Sequence, residues 1–134
     1  MLVEDRMFVM REEKNQQIKI LVAQSDQELI EELKTNGKKK MEEVFHQEVL
    51  IASVKDGHEL IEVNRSFGPD IILMDIVLSK LDGIGVLEQW NKNKEISQKV
   101  MVFSAVTTMS MIDSVFLLGV GFYLIMPAIY EIVW

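Results

Sequence analysis

Asp75 is the residue of this chain best placed to do chemistry. It closes the apolar run Pro69-Asp70-Ile71-Ile72-Leu73-Met74-Asp75, and the loop Ile76-Val77-Leu78-Ser79-Lys80-Leu81-Asp82-Gly83 follows. An apolar run of strand length, ended by a carboxylate and then turn residues, is how an open α/β sheet presents a reactive group. Ligands of such sheets bind at the carboxyl ends of the strands. Two other apolar runs end in polar residues that belong at the same edge, Ala23-Gln24-Ser25-Asp26 and Phe103-Ser104-Ala105, with Ile125-Met126-Pro127 beside them. What Asp75 does depends on those neighbours.

Other chemistries find little footing. The chain has no cysteine, which excludes disulfides, thiolate metal sites and cysteine nucleophiles. His46 and His58 have no metal-ligand partner at useful spacing and read as surface residues. No glycine-rich phosphate loop follows the first apolar run, so a small α/β enzyme or nucleotide binder is poorly supported. The nine methionines suit adaptable packing and need no ligand.

The elements that must hold these residues alternate regularly. Ile18–Ala23 reads as a first strand, and Asp26 then caps a helix through Leu29, Ile30 and Leu33. Asn36-Gly37 is a plausible stop for that helix, although Lys38 to Phe45 can continue it. Lys38-Lys39-Lys40 fits the positively charged end of a helix, and Glu28, Glu31 and Glu32 its solvated face. Val49–Val54 is a second strand, followed by Asp56-Gly57 and a helix that Phe67-Gly68-Pro69 breaks. After the Asp75 strand, Asp82-Gly83 starts a third helix through Val86, Leu87 and Trp90. Val100–Phe103 is a fourth strand, Met109–Leu118 a fourth helix, and Gly121–Ile125 a fifth, buried strand. Near-continuous apolar strands with helices between them imply a five-stranded parallel sheet covered on both faces, a doubly wound α/β domain.

Composition agrees with one such domain. At 134 residues, 49% apolar and 26% charged, the chain can bury a sizeable core. A net charge of −7 argues against non-specific binding to nucleic acid or to a membrane surface. The most apolar stretch, Val115 to Ile129, is too short to span a bilayer, and the acidic Glu4 and Asp5 do not suit a signal peptide. A cytoplasmic protein is expected.

From Ile18 to Trp134 the chain resembles the receiver domains of bacterial response regulators, most of all those of the sporulation regulators of Bacillus and Clostridium. The likeness rests on Gly68-Pro69-Asp70-Ile71-Ile72-Leu73-Met74-Asp75, on Leu81-Asp82-Gly83-Ile84-Gly85-Val86-Leu87-Glu88, and on Gly119-Val120-Gly121-Phe122-Tyr123-Leu124-Ile125-Met126-Pro127. It implies a flavodoxin-like receiver fold in which Asp75 stands at the phosphoryl-acceptor position. Ser104 stands at the position that contacts the phosphoryl group, and Tyr123 at that of the switch aromatic. The carbonyl of Val77 would help hold Mg²⁺. On the residues alone, Ser104 can equally satisfy local backbone and Tyr123 can be a half-buried strand aromatic.

The departures from the family pattern are as informative. Gln24-Ser25 stands where the family carries two adjacent acids, and Met126 where it carries a lysine. Leu78-Ser79 replaces the usual Met-Pro. Phosphoryl transfer is mostly positioning and charge neutralisation by a divalent cation and a cationic side chain. Mg²⁺ prefers carboxylate and carbonyl oxygens. The resemblance therefore implies a stand-alone pseudo-receiver in two-component or phosphorelay signalling, with Asp75 poorly phosphorylated and Mg²⁺ weakly held if at all, and no other cofactor. The alternative is a receiver that still accepts a phosphoryl group on Asp75. Expected partners are a histidine kinase, a phosphotransfer protein or another response regulator, with a homodimer through helix 4, strand 5 and helix 5 in view.

Residues 1–17 read as an N-terminal extension and 18–134 as the receiver-like domain, with no DNA-binding output domain. Tyr130–Trp134 would supply only about one turn of the fifth helix, which predicts a partly uncovered apolar face. The extension or a second copy of the chain is expected to cover it.

Overall fold

The computed structural model describes residues 17–95 and 99–125. In chain order the elements are β1 (Gln17–Ala23), α1, β2 (Glu48–Val54), α2 (Gly57–Phe67), β3 (Ile71–Met74), α3 (Gly83–Asn93), β4 (Lys99–Ser104), α4 (Met109–Leu117) and β5 (Phe122–Ile125). Helix α1 has three contiguous segments: α-helical over Gln27–Glu32, π-helical over Leu33–Gly37 and α-helical over Lys38–Phe45. The strands form one parallel sheet in the order β2-β1-β3-β4-β5. This is the doubly wound, flavodoxin-like α/β arrangement expected from the sequence. The sequence-predicted fifth helix, Met126 and residues 1–16 of the predicted extension lie outside the described residues; Gln17, assigned to that extension, instead begins β1, where it pairs with Glu48.

Strand periodicity explains the two layers of helices. Ile20 and Val22 point to one face, where they pack with Leu29 and Leu33 of α1. Leu21 and Ala23 point to the other, against Leu60 of α2 and Leu87 of α3. With both faces covered, alternation of apolar and polar residues disappears, and the strands read as near-continuous apolar runs.

Helix starts follow the capping chemistry in the sequence. Asp26 accepts from Glu28 N and Leu29 N at 3.0 and 3.3 Å, Asp56 from Glu59 N at 2.8 Å, and Asp82 from Gly85 N at 2.8 Å. Gly68, at φ 63°, ends α2 in the left-handed conformation that glycine adopts without a Cβ penalty.

Two expectations are corrected. Of the two readings of α1, the continuation through Lys38 to Phe45 holds and the stop at Asn36-Gly37 does not, so Lys38–Lys40 lie mid-helix rather than at its positive end; the helix ends at Phe45, with His46 left-handed at φ 55°. Packing of Leu33, 2% exposed, against the sheet outweighs the local stop signal. Strand β5 is not a buried strand. As an edge of the sheet it leaves Phe122 49% and Ile125 41% exposed.

The strand order reverses between β1 and β3, which opens a crevice at their carboxyl ends. Ala23 is in register with Met74, and Met74 with Val102. The residues just beyond these pairs are brought together there.

Candidate functional site

The site is built from the residue after β1, the residue after β3 and the last residue of β4. Asp75 is anchored by its own backbone, whose N–H donates to the Ala23 carbonyl at 2.9 Å. Its carboxylate is half-buried at the crevice. Oδ1 accepts from Val77 N–H at 3.1 Å, and Oδ2 faces the Gln24 side chain, with Nε2 at 3.4 Å.

Gln24 is 2% exposed, and its orientation is fixed by what its other end does. Oε1 accepts from Ser25 N–H at 2.9 Å and from Asp26 N–H at 3.0 Å. Only the carbonyl oxygen can accept two N–H groups, so the NH₂ must point toward Asp75. The amide thus ties down two backbone donors at the head of α1 and offers the carboxylate a donor. Ser25 is exposed, and Asp26 is engaged in capping α1. Among the described residues no three His, Cys, Asp or Glu side chains converge as a metal site.

Ser104 and Tyr123 meet on the other side of Asp75. Ser104 is fully buried, and its Oγ accepts from Val106 N–H at 3.3 Å. The Tyr123 hydroxyl donates to the Val106 carbonyl at 2.6 Å. The loop between β4 and α4 is therefore pinned on both polar groups of one residue. Burial pushes the Tyr123 phenol above its ordinary pKa; a hydrogen bond with Ser104 works against this, and the Asp75 charge adds to it.

The loop after Asp75 is locked from below. Lys80 has φ 65°, and Leu81 N–H donates to the Ser79 carbonyl at 2.8 Å across it. A positive φ with a bond spanning two residues describes the uncommon, strained γ-turn. Ser79 also pairs with Asp56, and Lys80 Nζ lies 3.7 Å from Asp56 Oδ2. The Glu59 N–H holds the Asp56 carboxyl below its ordinary pKa, burial opposes this, and the Lys80 charge and His58 reinforce it. An ideal Cβ on Gly57 would stand 1.8 Å from the Leu81 carbonyl oxygen, so only glycine fits under this loop.

The structure therefore brings Gln24, Asp75, Ser104 and Tyr123 together, leaves Ser25 at the rim, and places the Val77 side chain outward at 62% exposure. Val106 was not foreseen from sequence. Both its contacts run through backbone atoms, which no side-chain pattern announces. The support from Asp56 and Gly57 was legible only as a helix cap.

A family model described as the response regulator receiver domain matches residues 37–128. Among solved structures, the N-terminal domain of an uncharacterized protein from Wolinella succinogenes is 28% identical, with 82% of each chain covered and a TM-score of 0.67. The receiver domain of a Francisella response regulator is 26% identical, covering 86% of this chain and 89% of that one at a TM-score of 0.70. A two-component response regulator from Clostridium difficile is 23% identical over 85% and 87%, with a TM-score of 0.72.

Proposed function

The chain belongs to the family of response regulator receiver domains, and from that premise we propose that it works as an atypical, stand-alone receiver. In this reading Asp75 is phosphorylated poorly or not at all, and signalling proceeds by protein contacts. One observation carries the proposal: Gln24 turns its N–H₂, not an oxygen, toward Asp75.

A divalent cation beside Asp75 needs oxygen ligands. The buried neighbour is an amide whose single oxygen is already used by two backbone N–H groups. Ser25 carries no charge, and Asp26 serves the helix. Each lost carboxylate lowers cation affinity about tenfold even if only about 1.4 kcal/mol of its attraction survives desolvation. The residues present are thus a poor fit for Mg²⁺. Met126 adds an uncharged thioether where the family carries a lysine.

The partner surface in this reading is the α4–β5 face, which exposes Met109 at 67%, Phe116 at 45% and Leu117 at 85% beside Phe122. A histidine kinase, a phosphotransfer protein, another response regulator or a second copy of the chain would dock there, inside the cytoplasm. The sporulation-type pathway rests on the sequence likeness alone.

A second reading, a phosphorylation-competent receiver, is favoured by the half-buried Asp75 carboxylate and by Ser104 at the end of the adjacent strand β4, whose loop Tyr123 also holds. Incubation with Mg²⁺ and acetyl phosphate, followed by intact-mass measurement, separates the two. The expected result is little or no adduct. Stoichiometric labelling that disappears in Asp75→Asn would overturn the first reading and establish the second.

A further inference from the structure

We propose that Asn64 and Trp90 form a second polar site, a seam between α2 and α3 that binds one water molecule. Asn64 is 6% and Trp90 1% exposed. Among the described residues, Asn64 Oδ1 and Trp90 Nε1 are the two buried side-chain atoms that find no hydrogen-bond partner in the protein. The first is an acceptor and the second a donor. Native interiors leave few such atoms unpaired. Trp90 belongs to an apolar cluster with Leu60, Ile61, Val86 and Leu87, and Asn64 follows Leu60 by one helical turn.

The helices place the two side chains at one level. They start side by side: the Gly57 N–H donates to the Ser79 carbonyl at 3.4 Å, and Leu81 packs directly against Gly57. Asn64 and Trp90 each lie seven residues past the first residue of their helix, Gly57 and Gly83. That is about 10.5 Å along the axis in both cases. Seven residues are also nearly two full turns, so Asn64 projects on the side of α2 where Gly57 meets Leu81, the side of α3. Next to the pair, Arg65 Nη2 lies 3.2 Å from Glu95 Oε1, and the Glu95 N–H donates to the Trp90 carbonyl at 3.0 Å. The two helices are therefore tied together both above the pair and beside it.

The two atoms select the ligand. Neither lies within hydrogen-bond reach of the other, so a direct bond does not satisfy them. The group between them must accept from the indole N–H and donate to the amide oxygen. An anion can only do the first, and a metal cation can only meet the second. A neutral molecule does both, and between packed helices the one small enough is water, which makes about two to four such bonds when buried. The site does not depend on whether Asp75 accepts a phosphoryl group.

The test uses the full-length chain carrying Trp134→Phe, which leaves Trp90 as the one indole. On ¹⁵N-labelled protein, NOE and ROE spectra read the contact between the Trp90 indole N–H and water. The expected result is a water cross-peak of opposite sign in the two spectra, the mark of a water held near the proton rather than of proton exchange. It should be lost in Asn64→Leu, or in Asn64→Met if the leucine variant fails to fold. No such cross-peak, or one that survives removal of the Asn64 oxygen, would overturn the proposal. Thermal unfolding gives an independent reading. Asn64→Leu deprives the water of its acceptor and leaves the indole N–H unpaired, so the midpoint should fall. A midpoint that stays or rises would also overturn the proposal, because an apolar replacement is tolerated there only if the amide had no partner to lose.

Discussion

The Gln24 amide and the Asp75 carboxylate face each other across the β1–β3 crevice at 3.4 Å, with the amide held from behind by two backbone N–H groups. The arrangement is self-sufficient. Asp75 receives donors on both oxygens, from Val77 and Gln24, and the head of α1 keeps its own donors satisfied. A neutral side chain thus faces and stabilises an anion at the carboxyl edge of the sheet.

Restoring the acids should restore the cation. Gln24→Glu keeps an oxygen for Ser25 N–H and Asp26 N–H while turning a second one toward Asp75, and Ser25→Asp adds another charge at the rim. The double variant should bind Mg²⁺ about a hundredfold more tightly, at roughly tenfold per carboxylate. Titration calorimetry on parent and variant reads this directly. An unchanged affinity would remove the charge deficit as the explanation.

Gln24→Leu should cost more than its exposed surroundings suggest. It leaves Ser25 N–H and Asp26 N–H without the acceptor they now share, in a side-chain position only 2% exposed. A buried donor without a partner costs about 1–3 kcal/mol. Urea unfolding should show a lower midpoint at unchanged slope; a midpoint within error of the parent would contradict the assigned amide orientation.

Tyr123 should titrate late. Its phenol is raised above the ordinary value of about 10. A raised folded pKa means that the stabilisation is fully present below the unfolded pKa and is lost as pH climbs through the folded one. In a Tyr130→Phe background the remaining phenol should ionise at a pH above 10 by ultraviolet absorbance, and stability should fall over the same window. Tyr123→Phe should abolish that alkaline loss and cost about 0.5–1.5 kcal/mol at neutral pH through the missing Val106 bond.

Gly83 should tolerate no side chain. An ideal Cβ there meets Ile76 Cα at 2.7 Å and the Asp75 carbonyl oxygen at 2.8 Å, both backbone atoms. Gly83→Ala should therefore lose about 1–3 kcal/mol and displace the loop that follows Asp75. Gly68→Ala meets no atom within 4 Å and pays only for its φ of 63°, about 1–2 kcal/mol. Thermal unfolding of both, with amide NMR shifts around Asp75, distinguishes the two causes: only Gly83→Ala should move the site.

The fold was legible because its signals are local. Asp26, Asp56 and Asp82 each announce a helix with a short carboxylate that accepts a backbone N–H two or three residues on. The strands announce themselves as apolar runs because both faces are covered. The site was legible as a set of positions, since strand ends of a parallel sheet converge by topology. What the residues do there was not. The direction in which Gln24 points depends on two backbone donors in the following turn, and the Tyr123–Val106 bond depends on the path of a loop. The exposure of β5 depends on strand order, and the continuation of α1 through Gly37 on packing against the sheet. These are relations between distant or backbone atoms, which side-chain types along a chain do not encode.

The π-helical turn in α1 sets a phase. An α-helix advances about 100° per residue, so Met41 and Phe45 would sit about 80° and 120° around from Leu33 in an uninterrupted helix. One residue absorbed by the wider turn subtracts one step, which brings both to within about 20° of Leu33. All three then look onto the same part of the sheet. Excising one residue between Leu33 and Gly37 would leave that alignment intact, whereas straightening the turn at constant length would swing the lower half of the helix off the sheet.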